Sequence, residues 1–234
     1  MQGAHICHAL RAWNQIPEKR ISVCEKRELT SSQFNRNVAS LSRALRQQLR
    51  EQHQGSKPVI VAIIALNTDF FLTALLAIVA AGAVAAPLNW RASSTEISEF
   101  LTRCGVALLA YDGAQTELVK NLQRSGLSLA LPPLFLGEAE EAVPAGGTHI
   151  KTFTQACILQ PNALVESFHN SEGTAILCST SGTTGRAKSA VLSHSAMVSQ
   201  SLAKLAMVQY REQDVYLHLS PMFHVGGLSS ALAI

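Results

Sequence analysis

The stretch PVIVAIIALNTDFFLTALLAIVAAGAVAAP, residues 58–87, decides the fold because it contains a complete strand–helix–strand unit. Residues 58–66 form a continuous apolar and β-branched run, which is typical of a strand buried on both faces. A helix is predicted over 70–81, with Asp69 capping its start and Gly82 ending it, and a short strand follows. Because parallel strands are joined by crossover helices, this unit predicts a parallel sheet.

The same stretch contains the one serious candidate for a membrane span, residues 70–88. Its length is adequate, since a span needs about 20 apolar residues. Thr73, Gly82 and Pro87 interrupt it, however, and a helix, a glycine stop and a buried strand explain the same residues. We therefore predict a chain without a membrane span.

Capped helices flank this unit on both sides. Thr30 with Gln33, and Ser93 with Glu96, have the spacing of a capping box. The helix after Thr30 divides into an apolar face and a basic face exposed to water. The apolar face contains Phe34, Val38, Leu41, Leu45 and Leu49, and the basic face contains Arg36, Arg43, Arg46 and Arg50.

Further strands repeat the pattern later in the chain. The helix after Ser93 closes at Cys104 and Gly105, and residues 106–112 form the next buried strand. Another strand is predicted over 173–180. The fold class is therefore α/β, with largely parallel sheets covered by helices.

The composition excludes several classes of protein. A hydrophobic content of 47% with 15% charged residues is typical of a globular chain, not a disordered one. Residues 1–58 hold ten Lys and Arg against four Asp and Glu; a solvated basic helix face explains this excess, and no motif supports nucleic-acid binding. Five cysteines without a CxxC pair indicate neither a zinc site nor a disulfide framework, so Cys104 and Cys178 are interpreted as small core residues in a reducing compartment.

A second stretch, STSGTTGRAKSAVLSH at residues 179–194, carries the chemistry. Gly182 and Gly185 let the backbone approach a ligand closely, several hydroxyls can donate hydrogen bonds, and Lys188 adds one positive charge. Consecutive backbone N–H groups in such a turn bind anions, and a helix predicted over 190–209 strengthens the site by its dipole. The stretch predicts a polyphosphate ligand, which Mg²⁺ commonly accompanies.

Other glycine- and serine-based motifs do not fit this stretch. A Walker loop needs glycine directly before the lysine, and Ala187 occupies that position. The GxGxxG and GxSxG patterns are also absent, so a hydrolase nucleophile has no support. An ordinary surface turn remains as the alternative. His194, which follows the loop, is interpreted as a packing or capping residue.

Two segments near the end complete the pattern. Residues 214–221, DVYLHLSP, are predicted to form a strand. Residues 228–234, LSSALAI, are predicted to begin an apolar helix with nothing to cover it. Between the earlier strands, the acidic residues 137–147 are predicted to form a solvated loop.

The loop resembles the signature of a known family. Thr180–Lys188, TSGTTGRAK, followed by Leu192–His194, LSH, resembles the phosphate loop of the adenylate-forming enzymes, which include the acyl-CoA synthetases. Residues 81–91 and 214–227 are similar to two further stretches of that family. A narrower resemblance, to the plant o-succinylbenzoate–CoA ligases of phylloquinone synthesis, is carried by AHICHAL, NTDFFLTALLA and SLAKLAMV.

The resemblance implies a reaction in two steps. A small-molecule carboxylic acid attacks ATP to give an acyl-adenylate and pyrophosphate, and the thiol of CoA then displaces AMP. It implies that Lys188 and His224 are catalytic, and that His224, Gly226 and Gly227 line the acyl pocket, with no metal ligand assigned. The implied phosphate-binding residues are Thr180, Ser181, Gly182, Thr183, Thr184, Gly185 and Lys188.

The sequence departs from the family pattern in two ways. Ala187 and Ser189 stand where the family has proline and glycine, which predicts a more flexible loop and weaker ATP binding. The family's Mg²⁺-binding glutamate and its mobile C-terminal domain lie beyond Ile234. Residues 1–234 are therefore expected to be a partial N-terminal AMP-binding domain that is inactive alone.

Two alternatives to this function stay open. The chain could be another acyl-CoA synthetase, such as a 4-coumarate or fatty acid–CoA ligase, or a non-catalytic member of the family. The resemblance implies a soluble protein of the peroxisome or chloroplast, although the residues carry no readable targeting signal.

Overall fold

A computed structural model describes residues 5–52, 58–138, 143, 146–155, 173–180 and 188–233. A small sheet pairs β1 (Arg20–Cys24) antiparallel with β2 (Arg27–Thr30). The main sheet contains β3 (Ile60–Ile64), β4 (Val84–Pro87), β5 (Val106–Tyr111), β6 (Leu134–Phe135), β7 (Thr148–His149), β8 (Thr174–Thr180) and β9 (Lys188–Ser193). The helices are α1 (His8–Trp13), α2 (Ser31–Gln52), α3 (Asp69–Ala80), α4 (Ser94–Cys104), α5 (Thr116–Arg124), α6 (Ile150–Gln155), α7 (His194–Val208) and α8 (Val225–Ala231).

The main sheet is parallel except at its last pair. Its strand order is β7-β6-β5-β3-β4-β8-β9, and only β9 runs antiparallel to its described neighbour, β8. The predicted α/β class, with a largely parallel sheet covered by helices, is confirmed. The strands predicted over 58–66, 106–112 and 173–180 are confirmed as β3, β5 and β8.

Both faces of the sheet are buried, which explains the continuous apolar runs. In β3, Val61 and Ile63 pack with the helices α2 and α3, whereas Ala62 and Ile64 pack with α4 and α5. All four side chains are fully buried. Successive residues of a strand point to opposite faces, so a strand covered on both sides has no polar positions.

The predicted capping boxes are both present. The backbone N–H of Thr30 donates to Gln33 Oε1 at 2.8 Å, and the N–H of Gln33 donates to Thr30 Oγ1 at 3.3 Å. Ser93 and Glu96 exchange the same pair of bonds at the start of α4. That helix ends, as predicted, at Gly105, whose φ of 62° is left-handed and therefore favours glycine.

The amphipathic prediction for α2 is confirmed on its apolar face and wrong at one arginine. The five predicted apolar residues are buried. Arg46, predicted to face water, instead donates from Nη2 to the carbonyl oxygen of Ala80 at 2.7 Å. Because α2 packs on α3, this side chain lies at the C-terminal end of α3 and satisfies a carbonyl there. Burial lowers the pKa of Arg46.

The start of α3 differs from the prediction by one residue. Thr68, not Asp69, is the N-cap, and its Oγ1 accepts from the N–H of Phe71 at 3.3 Å. Asp69 is the buried first residue of the helix and accepts from Arg27 Nη2 at 2.6 Å. The helix ends before Gly82, which has a φ of 87°. In the parts of the chain that the structure describes, no helix has the length and hydrophobicity to cross a membrane.

The four described cysteines carry free thiols. Cys178 is buried, as predicted. Cys104, the last residue of α4, is half-buried and packs against the margin of the core. Burial raises the pKa of the Cys7 and Cys178 thiols, so their reactive thiolate forms are disfavoured.

The segment after the predicted phosphate loop is a strand before it is a helix. The helix predicted over 190–209 is wrong at its start, since Lys188–Ser193 form β9 and α7 begins at His194. Ser193 caps α7 by accepting from the N–H of Ala196 at 3.1 Å. A short run such as KSAVLS can form a helix or a strand, and it forms a strand here because it pairs with β8.

The strand predicted over 214–221 is also wrong. This segment has no regular secondary structure and is not paired with any strand of the described chain. Its apolar side chains are exposed: Val215 by 94%, Leu217 by 76% and Leu219 by 78%. Without a partner for its backbone, an alternating apolar pattern does not make a strand.

The helix predicted from residue 228 is present, but the prediction that nothing covers it is wrong. α8 begins three residues earlier, at Val225, and ends at Ala231. Its Leu228 is fully buried in the core shared with α2 and α3. The exposed apolar surface lies instead on the preceding segment and on α7, where it includes Leu202, Leu205, Met207 and Val208.

Candidate functional site

The carboxyl ends of β3, β4, β5 and β8 lie at one edge of the main sheet. The chain moves from β3 to β4 on one side and then to β5 on the other side of β3, so the direction of winding reverses there. In open α/β sheets, ligands bind in the crevice outside such a reversal point. Thr180 and Lys188 of the first predicted stretch lie at this edge, and Ser220 and Met222 of the second stretch bond to Asn67 there.

The predicted phosphate loop connects two antiparallel strands. Thr180 at the end of β8 is paired with Lys188 at the start of β9, and Thr180 Oγ1 donates to the carbonyl oxygen of Lys188 at 3.2 Å. Ser181, Gly182, Thr183, Thr184 and Gly185 lie outside the described residues. The described strands thus place Thr180 and Lys188, both exposed, at the two ends of the loop.

The contribution of a helix dipole to this loop, which the sequence predicted, is wrong. The loop leads into β9, and α7 begins only at His194, six residues after Lys188. Because the dipole acts within the first turn of a helix, an anion at the loop does not lie at the N-terminus of α7. Any binding of phosphate there depends on backbone N–H groups, hydroxyls and the charge of Lys188.

The turn that contains His224 lies next to β8. The Sγ of Cys178, two residues before Thr180, is 3.6 Å from the carbonyl oxygen of Phe223. His224 is exposed, is the residue before the first turn of α8, and contacts Phe223 with ring centroids 4.5 Å apart. Two motifs separated by some forty residues in the sequence therefore meet at the same edge of the sheet.

The two glycines after His224 have different surroundings. A Cβ on Gly227 would lie 2.2 Å from the carbonyl oxygen of Pro221, so the backbones of α8 and the preceding turn touch there. A Cβ on Gly226 would meet no atom within 4 Å. The close approach at Gly227 is made within the chain itself, and it fixes α8 against the turn.

Two side chains that sequence reasoning missed hold this region together. Asn67, in the loop after β3, donates from Nδ2 to the carbonyl oxygen of Ser220 at 2.8 Å and accepts at Oδ1 from the N–H of Met222 at 2.9 Å. Lys204 of α7 donates to the carbonyl oxygen of Gly226 at 2.9 Å. Asn67 stands directly before a helix cap, and no local pattern indicates a partner this distant in sequence.

A buried carboxylate joins two strand ends at the same edge of the sheet. Asp112, directly after β5, accepts at Oδ2 from the N–H of Leu66 at 2.7 Å. Burial raises the pKa of Asp112, and hydrogen bonds from backbone N–H groups counteract part of that effect. The carboxylate links the ends of β5 and β3, and thereby fixes the loop that carries Asn67.

His194 has a packing role, as the sequence indicated. Its ring is buried and stacks on the ring of His5, with centroids 3.7 Å apart. Burial lowers the pKa of His194 to about 4 and that of His5 to about 3, and electrostatic repulsion from His194, His8 and Arg11 adds to the effect on His5. Both imidazoles are therefore neutral near pH 7.

We expect the stacked histidines His5 and His194 to lower the free energy of unfolding as the pH falls. The folded pKa values lie below the ordinary value of 6.5, so the unfolded chain binds more protons as the pH falls from about 6.5 to 4. At pH 4.5 the free energy of unfolding should be lower than at pH 7 by about 2 kcal/mol for each histidine.

Urea unfolding at several pH values would test this expectation. His194→Phe keeps an aromatic ring but removes one titrating group, so its pH dependence should be clearly shallower than that of the wild type. Ser199→Ala, on an exposed position of the same helix, should keep the wild-type dependence. Equal slopes for His194→Phe and the wild type would contradict the assignment.

The chain has counterparts among known proteins. A family model described as AMP-binding enzyme matches residues 10–234. The chain belongs to this family. The match confirms the resemblance that the loop and its two flanking stretches suggested.

The relatives of this AMP-binding chain include acid–CoA ligases. The 2-succinylbenzoate–CoA ligase of Arabidopsis thaliana, described as chloroplastic/peroxisomal, is 35% identical over 237 residues. That match covers 98% of this chain and 40% of the relative, so the chain spans less than half of the relative's length.

Two solved structures share the fold. The anthranilate CoA ligase AuaEII, in complex with anthranoyl-AMP, matches with a TM-score of 0.81 and 21% identity, over all of this chain and 44% of that one. ATP-bound MatB from Rhodopseudomonas palustris matches with a TM-score of 0.75 and 22% identity, over 99% of this chain and 43% of that one. At these identities the likeness shows the fold alone.

Proposed function

We propose that this AMP-binding chain serves an ATP-dependent acid–CoA ligase, with the phosphates at the β8–β9 loop and the acyl group beside His224. The observation that carries the proposal is the contact between Cys178 Sγ and the carbonyl oxygen of Phe223, at 3.6 Å. It makes the strand before the loop and the turn of His224 neighbours. A triphosphate and a carboxylate bound at these two features would be adjacent, as their reaction requires.

The proposed reaction has two balanced steps. A carboxylate oxygen bonds to the α-phosphorus of ATP, and the bond from that phosphorus to the bridging oxygen breaks, releasing pyrophosphate. The thiol of CoA then loses its proton to solvent and its sulfur bonds to the acyl carbon, and the bond from that carbon to the phosphate oxygen breaks, releasing AMP. Negative charge moves onto phosphate oxygens in both steps, and fixed donors and cations stabilise it.

The proposed roles are carried over from the family resemblance to the residues of the loop and the turn. Backbone N–H groups and hydroxyls of Thr180 to Gly185, together with the charge of Lys188, hold the β- and γ-phosphates. His224 lines the acyl group, and Gly226 and Gly227 carry the backbone past it. Lys188 and His224 remain the proposed catalytic residues.

Two further ligands have no assigned residues in this chain. No cluster of three or more His, Cys, Asp or Glu that could hold a metal ion occurs within the described ranges. We assign no residue of this chain to the Mg²⁺ that accompanies ATP. CoA enters the proposal as the second-step substrate. The chain spans 40% of the length of the Arabidopsis relative, and we propose that residues 1–234 are a partial AMP-binding domain that is inactive alone.

The acid that we propose is o-succinylbenzoate, which would place the protein in phylloquinone synthesis. The 35% identity to the Arabidopsis 2-succinylbenzoate–CoA ligase supports this choice, and the chloroplast or peroxisome would follow from the same relative. Fatty acids, 4-coumarate and other carboxylic acids are the competing substrates. A chain that binds none of them would be the non-catalytic alternative.

Calorimetric titration tests the function on the chain itself. Non-hydrolysable acyl-sulfamoyl adenosines of 2-succinylbenzoate, 4-coumarate and a long-chain fatty acid would be compared with ATP. The 2-succinylbenzoyl compound should bind most tightly. Tighter binding of another acyl compound would change the proposed acid, and binding of neither ATP nor any acyl compound would reject the ligase assignment for this chain.

We expect Lys188→Ala to weaken ATP binding by about tenfold or more, the effect of losing one charged hydrogen bond of roughly 1.5 kcal/mol. The same titration measures it. Lys120→Ala is the matched control, since Lys120 pairs with Glu117 on α5, at 2.6 Å, and should leave ATP affinity unchanged. Equal affinities for the two variants would remove Lys188 from the phosphate site.

A further inference from the structure

The loop between β3 and α3 is held rigidly to the sheet edge. The N–H of Leu66 is bound by the buried carboxylate of Asp112, and Thr68 caps α3. Asp69 pairs with Arg27 at 2.6 Å. Three of the four residues 66–69 are therefore fixed by bonds to the surrounding fold.

The fourth residue, Asn67, uses its amide on a different segment. Its Nδ2 donates to the carbonyl oxygen of Ser220 at 2.8 Å, and its Oδ1 accepts from the N–H of Met222 at 2.9 Å. Both ends of the side-chain amide thus pair with one short backbone segment, as a neighbouring strand would. With one donor and the acceptor engaged in this way, the amide is committed to the backbone and not to a ligand.

The segment that Asn67 binds leads directly into His224. The N–H of His224 donates to the carbonyl oxygen of Pro221 at 3.1 Å, and Gly227 packs against the same carbonyl. On the other side of the turn, residues 214–219 have no regular secondary structure. The bonds from Asn67 link the turn to the carboxyl edge of β3. Cys178 of β8 contacts the turn at Phe223, and Lys204 of α7 bonds to Gly226.

We infer that Asn67 is a positioning residue that holds the His224 turn, and with it the acyl site, at the carboxyl edge of the sheet. The role of His224 at the acyl site rests on the proposed function. The structural half of the inference, that Asn67 holds the turn, rests on the two hydrogen bonds alone. Asn67 acts through backbone and does not touch the acyl group. Its loss should therefore affect acyl binding more than ATP binding.

The structural half is tested by nuclear magnetic resonance on the ligand-free chain. In Asn67→Ala, amide exchange at Met222 should accelerate by about tenfold or more, because the N–H loses its acceptor. The ring-current shift that Phe223 imposes on the His224 ring should shrink as the turn loses its fixed position. Asn67→Asp keeps the acceptor for Met222 and loses the donor to Ser220, so it should retain protection at Met222.

The control for both measurements is Asn121→Ala. Asn121 lies on α5 and accepts from Arg124 at 2.9 Å, far from the turn, so its loss should change neither readout. Wild-type exchange and an unchanged His224 shift in Asn67→Ala would overturn the inference. If Asn67→Ala does not fold, Asn67→Asp decides whether Asn67 holds the turn. Its carboxylate cannot donate to the carbonyl oxygen of Ser220 and is repelled by it, so the chemical shift of the His224 ring should still change.

The functional half compares two affinities in the same variants. Asn67→Ala should weaken binding of the 2-succinylbenzoyl-sulfamoyl adenosine by about tenfold and leave ATP affinity within about twofold. Equal losses for both ligands would indicate a merely structural role and overturn the inference. A wild-type chain that binds neither ligand would instead reject the proposed function, and the exchange and ring-shift measurements would still decide whether Asn67 holds the turn.

Discussion

Gly227→Ala is expected to lower the free energy of unfolding by about 3 kcal/mol, although alanine favours helices more than glycine does. The new methyl group would lie 2.2 Å from the carbonyl oxygen of Pro221, 2.6 Å from its carbon and 2.7 Å from the carbonyl oxygen of Ser220. All three atoms belong to the backbone, so no side chain can rotate away. Either α8 moves off the turn or the turn moves off Asn67.

The adjacent glycine provides a matched control. Gly226 lies in the same helical turn, and a Cβ there would meet no atom within 4 Å. Gly226→Ala should therefore change the free energy of unfolding by between zero and about 1 kcal/mol in the stabilising direction. Urea denaturation of both variants measures the difference. Equal stabilities would show that the contact between Gly227 and Pro221 is not required.

Asp69→Ala is expected to lower the free energy of unfolding by about 3 kcal/mol. The Asp69 side chain is only 5% exposed and accepts a hydrogen bond from Nη2 of Arg27 at 2.6 Å, and the Arg27 side chain is 24% exposed. The hydrogen bond to Asp69 is the main cause that raises the pKa of Arg27. Removing the carboxylate leaves the guanidinium with only the exposed Glu138, at 4.0 Å, as a described ionic partner.

An exposed pair on the same small sheet is the control for this prediction. Arg20 and Glu28 are 3.1 Å apart, with exposures of 59% and 58%. Glu28→Ala should cost less than about 1 kcal/mol, because water solvates both groups. The double change Arg27→Met with Asp69→Leu should recover part of the loss, since no charge is then left unpaired. An Asp69→Ala variant no less stable than Glu28→Ala would contradict the assignment.

Sequence reasoning succeeded where local interactions determine the structure. The capping boxes at Thr30 and Ser93 involve residues three positions apart, and the buried run of β3 follows from burial on both faces. The family match confirms the resemblance that the residues between Thr180 and Lys188 carry, whereas the ligand site predicted from their residue types stays a prediction.

Sequence reasoning failed where residues distant in sequence determine the local structure. Lys188–Ser193 became a strand because β8 was available to pair with it, and residues 214–221 did not become one because none of the described strands pairs with them. Arg46 turned inward because α3 ended beside it. The two bonds of Asn67 reach residues that no window of local sequence contains, and so this residue could not be found before the structure.

The distance in sequence between Asn67 and its partners also orders the events of folding. Asn67 and Ser220 are separated by 153 residues, so most of the sheet is synthesised before the amide can be paired. Closing so long a loop costs entropy that only an already formed sheet edge can reduce. The candidate site should therefore be completed late, after the β3–α3–β4 unit has formed, since a nascent chain that ends before Ser220 contains the sheet edge without the His224 turn.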